Sequence, residues 1–152
     1  MLPQFYKLVV VNKSGQDNVY NDDGRLNMKI TEWYIDPNTG TIVYNQRSDD
    51  DMGLIAGQTI ANNGERLTSE VDNTSNKYVG AQIQLEVTHS AGAAADGTFD
   101  IYMAAGDATG ELPTDANGYV DAESNKLEFV GSLFWLTGGS NDDLQRSPVF
   151  NI

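Results

Sequence analysis

Hydrophobic and polar positions alternate through residues 81–88. Ile83, Leu85 and Val87 share one side, and Gln82, Gln84, Glu86 and Thr88 share the other. A period of two marks a half-buried β-strand, whose successive side chains point to opposite faces. Residues 98–103 repeat the pattern, with Phe99, Ile101 and Met103 inward and Asp100 and Tyr102 outward. The link between them is rich in Ala and Gly and ends in Asp96-Gly97, a turn dipeptide. The two strands are expected to form a hairpin or a sandwich corner.

Residues 26–30 alternate again through Leu26, Met28 and Ile30. The parity then breaks at Trp33 and Ile35, which predicts a bulge or a strand covered on both faces. Asp36-Pro37-Asn38-Thr39-Gly40 follows. Proline presets the turn φ and Gly40 suits a positive φ, so Thr41-Ile42-Val43-Tyr44 runs back as a hairpin. Two further strands are expected. One spans Phe5–Asn12, with Leu8-Val9-Val10-Val11 at its centre. The other spans Lys126–Thr137 and is interrupted near Gly131. In it Leu127, Phe129, Leu133 and Trp135 share one parity, while Val130, Phe134 and Leu136 share the other. A strand apolar on both faces needs cover on both, from its own chain or from a neighbouring subunit. Helical signal is confined to one short turn within Asp49–Ala61, weakened by Gly53 and Gly57.

About eight short strands with frequent Asn, Asp and Gly turns predict an all-β fold. The expected form is an antiparallel β-sandwich, jelly-roll or Ig-like, as a single domain over residues 1–152. A chain of this length buries roughly 68–70% of its unfolded surface, enough to fold without staples. It contains no cysteine, which removes disulfides, thiolate metal sites and thiol catalysis. No apolar run approaches the ~20 residues that span a bilayer, and residues 1–7 lack the features of a signal peptide. Asp and Glu total 22 against 9 Lys and Arg, a formal charge of −13. Such acidity repels phosphate backbones and anionic lipid, so neither nucleic acid nor membrane is an expected partner.

The candidate chemistry is thin. The one histidine, His89, adjoins Ser90, but neighbouring strand side chains face opposite ways and form no triad. Acidic clusters at Asp22-Asp23, Asp49–Asp51 and Asn141–Asp143 fall in expected loops, with nothing to select a catalytic pair. Asp115–Asp121 places oxygen ligands at alternate positions around Gly118, partway to a calcium loop, but lacks the bidentate Glu. Gly138-Gly139 lacks the lysine and helix of a phosphate loop. The expectation is therefore no enzyme, no cofactor and no metal. Residues 106–124 form the largest expected surface loop. Among the aromatics, Trp33 and Trp135 are expected in the core. Tyr102, on an outward face, is expected to make contacts.

The second half carries a resemblance. Tyr78–Val87, then Asp96-Gly97-Thr98-Phe99-Asp100-Ile101-Tyr102-Met103, then Leu127–Leu133 resembles small β-sandwich virion proteins of tailed bacteriophages. That group includes head decoration (cement) proteins and tail-associated proteins. The resemblance implies a non-enzymatic module on the outside of a capsid or tail, assembled in the host cytoplasm. Its partner would be the major capsid or tail protein of the same particle. It implies a homo-oligomer, with a trimer favoured. Val130, Phe134, Leu136, Tyr102, Phe5 and Phe150 are the expected interface residues. The apolar ends around Phe5 and over residues 148–152 would serve as docking arms, or as edge strands of the sandwich. A glycan-binding or adhesion module, using residues 106–124 and exposed tyrosines, is the alternative from a different class. A small hydrolase is a third.

Overall fold

The computed structural model describes residues 1–13, 18–19, 26–51, 59–75, 77–88, 97–106, 127–135 and 144–152. Twelve strands run through these residues. They are β1 (Phe5–Lys13), β2 (Asn18–Val19), β3 (Leu26–Ile35), β4 (Ile42–Asp51), β5 (Thr59–Ile60) and β6 (Glu65–Leu67). The series continues with β7 (Val71–Asp72), β8 (Gly80–Thr88), β9 (Gly97–Gly106), β10 (Leu127–Trp135), β11 (Leu144–Arg146) and β12 (Phe150–Asn151). Sheet I has the order β10-β9-β1-β6, with β7 also paired to β1. Sheet II has the order β11-β8-β3-β4, with β12 also paired to β8. The pair β2–β5 stands apart. Every pairing is antiparallel.

The sheets meet through a shared core. Sheet I supplies Tyr6, Leu8, Val10, Phe99, Ile101, Met103 and Leu133, and sheet II supplies Met28, Ile30, Ala81, Ile83 and Leu85. The fold is thus the expected all-β antiparallel sandwich, with more strands than expected, six of nine or ten residues and six of two or three. The strands β8 and β9 belong to different sheets, so they do not pair as a hairpin.

Three sequence expectations change. First, the parity of β3 does not break. Met28, Ile30 and Glu32 all point inward and are fully buried, and Tyr34 packs on the core behind them. Glu32 occupies an apolar slot in the alternation. Its carboxylate is tolerated there because the Tyr6 hydroxyl, from the opposite sheet, donates a hydrogen bond to Oε1. The ladder irregularity lies between Met28 and Ile30, where β4 carries the extra residue. Second, Asp49–Asp51 are the end of β4 and not a loop or helical turn; Asp50 and Asp51 pair with Met28 and Asn27. Third, the strand buried on both faces is β1. Its even side chains enter the main core. Phe5, Val9 and Val11 form a second cluster with Ala104, on the outer side of sheet I.

The mixed parity of β10 comes from a bulge. Its register against β9 shifts between Phe129 and Gly131, at the expected interruption. Before the bulge, Leu127 and Phe129 oppose Ala104 and Tyr102 on the outer face. After it, Leu133 opposes Phe99 and is buried.

The expected β3–β4 hairpin is present. The Asp36 amide donates to the Thr41 carbonyl (2.9 Å) and the Gly40 amide to the Asp36 carbonyl (2.8 Å). Gly40 has φ +69°, a conformation that strains residues with a Cβ. The chain end is part of sheet II. Phe150 pairs with Ile83, and Ile152 and Ala81 exchange both backbone hydrogen bonds.

Candidate binding faces

Two outward faces carry the exposed aromatic and polar side chains of the two sheets. The first lies on sheet I, where odd residues of β1 and even residues of β9 point away from the core. Lys13 Nζ sits 3.0 Å from Asp100 Oδ2 and donates to the Tyr102 hydroxyl at 2.9 Å. Ser132 Oγ donates to Asp100 Oδ1 at 2.6 Å. Burial pushes the Asp100 carboxyl up, but hydrogen bonds from Ser132, Lys13 and Thr98 outweigh it and hold the group below its ordinary value. The hydrogen bonds to Tyr102 and then Asp100 raise Lys13 above its ordinary value. A serine, a lysine and a carboxylate therefore stand together in an order that opposes nucleophilic catalysis. The lysine is held protonated, and the serine proton points into the carboxylate that the lysine already pairs.

Tyr102 is half-buried on this face and meets Phe129 edge to face, with ring centroids 5.5 Å apart. Phe129 stands 58% exposed on the edge strand β10. Of the expected interface residues, Tyr102 thus lies on an outer face. Val130 and Phe150 are half-buried against the main core, and the Phe150 ring fills the space above Gly131. Phe5 is buried in the outer cluster of sheet I, at the start of a central strand. Leu136 and the side chain of Phe134 lie outside the described residues. So do His89, Asp22-Asp23, Asp115–Asp121, Gly138-Gly139, Asn141–Asp143, the Trp135 side chain and most of the 106–124 loop. Among the described residues, no three His, Cys, Asp or Glu side chains converge on a point that could hold a metal ion.

The second face is the outside of sheet II. Trp33 is opposite Tyr44 and Ile35 is opposite Ile42, all on the odd, outward side of β3 and its partner positions on β4. Ile35, Ile42 and Tyr44 are 53%, 54% and 61% exposed. Trp33 is half-buried outside the core, which corrects the expectation for it. Its indole lies over Gly80 of β8, where a Cβ would meet Cε2, Cζ2 and Nε1 at 2.7 Å. The lack of a side chain at Gly80 therefore lets the ring lie across the sheet. The next row holds Thr31 between Gln46 and Gln82. Sequence reading missed this face because the apolar run at Trp33 and Ile35 looked like a second core side. The signal available was Glu32 between them, whose inward position puts both residues outward.

Compared with models of protein families, with curated proteins and with solved structures, the chain matches none of them.

Proposed function

We propose that this protein is a non-enzymatic structural component of a tailed-phage particle, a head decoration protein docked on the capsid through the β10 edge of sheet I. The observation that carries the reading is Phe129. A large ring more than half exposed, on an edge strand and braced by Tyr102, is the anchor geometry of a protein–protein contact. The resemblance read in the sequence over Tyr78–Val87, residues 96–103 and Leu127–Leu133 points the same way. So does the charge of −13, which keeps unassembled copies apart until they meet the particle.

Mass spectrometry of gradient-purified phage particles from cells that express the chain tests the proposal. A copy number matching the major capsid protein supports decoration. A copy number matching tail proteins moves the chain to the tail, and absence from the particle ends the reading. Phe129→Glu is expected to abolish incorporation while leaving the fold intact. Light scattering on the unassembled protein tests the trimer expected of this class.

A further inference from the structure

Among the described side chains, the outer face of sheet II carries one charged pair, Lys29 with Glu86, and is otherwise uncharged around Trp33 and Tyr44, although the chain as a whole is strongly acidic. Trp33 and Tyr44 stand opposite each other across the β3–β4 ladder there, an aromatic shelf that Ile35 and Ile42 extend and whose indole reaches over Gly80. Behind the shelf, Thr31, Gln46 and Gln82 make no side-chain hydrogen bond within the described residues, and Gln46 and Gln82 are exposed. The row beyond is closed off. Lys29 Nζ pairs with Glu86 Oε1 at 2.8 Å, and Gln84 donates to the Ser147 carbonyl at 3.0 Å. Lys29, Thr31, Gln46, Gln82 and Gln84 line a shallow depression of about 180 Å³ beside the shelf.

We infer that this face binds a neutral carbohydrate chain, with one pyranose ring on the Trp33–Tyr44 shelf and its hydroxyls on Gln46, Gln82 and Thr31. The apolar C–H face of a pyranose stacks on aromatic rings, and the positive ring hydrogens meet the negative π face. Sugar hydroxyls both donate and accept, and an amide side chain offers both in return. A ligand pocket is mostly apolar with a few placed polar groups, and this face has that composition. An apolar protein partner fits less well, because it would bury Thr31, Gln46 and Gln82 without returning their hydrogen bonds. Among the described residues, an anionic ligand meets no cation on this face outside the Lys29–Glu86 pair. The site lies on the opposite sheet from Phe129, so the inference does not rest on the particle reading.

Affinity electrophoresis of the whole chain through gels containing neutral polysaccharides tests it, with a β-glucan, an α-glucan, a galactomannan and a xylan as probes. At least one is expected to retard the protein, equally at low and high salt, because no charge is involved. Tyr44→Ala is expected to weaken that binding by about tenfold and Gln82→Ala by about threefold. Phe129→Ala, on the other sheet, is expected to leave it unchanged. Indole emission in a Trp135→Phe background should shift on adding the retained polysaccharide. Three outcomes overturn the inference. The first is passage through all four gels without retardation. The second is retardation that Tyr44→Ala leaves intact in a folded protein. The third is a solution mass that halves or falls to a third in Tyr44→Ala, which would make the face a contact between copies of this chain.

Discussion

The hydroxyl of Tyr6 on β1 donates a hydrogen bond across the core to Glu32 Oε1 on β3, and both residues are shut away from solvent. One side-chain contact thus ties sheet I to sheet II at a slot where the alternation calls for an apolar residue. Tyr6→Phe withdraws one hydrogen-bond donor from a carboxyl group that stays buried. It is expected to cost about 1–3 kcal/mol of stability. Replacing both partners with apolar residues, as in Tyr6→Phe with Glu32→Met, is expected to cost less than the sum of the single changes. Urea unfolding followed by tryptophan emission measures all three. A Tyr6→Phe protein as stable as the wild type would show that the contact contributes nothing.

The Lys13–Asp100 pair predicts a pH response. The Asp100 carboxyl is held below its ordinary value in the folded protein. Its stabilising contribution is therefore present above its unfolded value of about 3.9, and is lost as pH falls through the lower folded value. Lys13 is raised, so its contribution is complete below about pH 10.4 and is lost as pH climbs through the folded value. Carboxyl NMR titration should place Asp100 below its unfolded value. It should move upward in both Lys13→Met and Ser132→Ala. An unchanged midpoint in Ser132→Ala would remove the hydroxyl as a cause.

Gly40 closes the β3–β4 hairpin at positive φ with open space where a Cβ would stand. Gly40→Ala therefore meets no neighbour, and its cost is backbone strain alone, about 1–2 kcal/mol. Thermal unfolding by circular dichroism reads the loss. Because the strain is confined to the turn, the folded spectrum should stay unchanged.

Gly80 and Gly131 each lie under an aromatic ring, but the two rings differ in freedom. Trp33 above Gly80 is half-buried on an outer face and can swing aside. Phe150 above Gly131 is packed against the main core. Gly131→Ala is expected to be the more destabilising, by about 1–3 kcal/mol, through overpacking. Gly80→Ala is expected to cost less but to lift the indole off the sheet. Its emission should then shift to the red, and carbohydrate retention should fall with it. Equal destabilisation by the two changes would contradict the difference in packing.

Local pattern alone determined the strands at residues 81–88 and 98–103, the hairpin at Asp36–Gly40 and the break near Gly131. Alternation and turn chemistry act between near neighbours, and each of these features is written within about ten residues. Tertiary structure decided the rest, because the deciding contacts join residues far apart in the chain. Glu32 is accommodated in the core where Tyr6, 26 residues earlier, donates a hydrogen bond to it from the other sheet. The burial of β1 on both sides follows from where β6, β7 and β9 pair with it, which no property of Leu8-Val9-Val10-Val11 specifies. The aromatic shelf exists because Trp33 finds Gly80 beside it across the ladder. A glycine there reads in sequence only as a strand start, whereas in the folded sheet it is the gap that lets an indole lie flat.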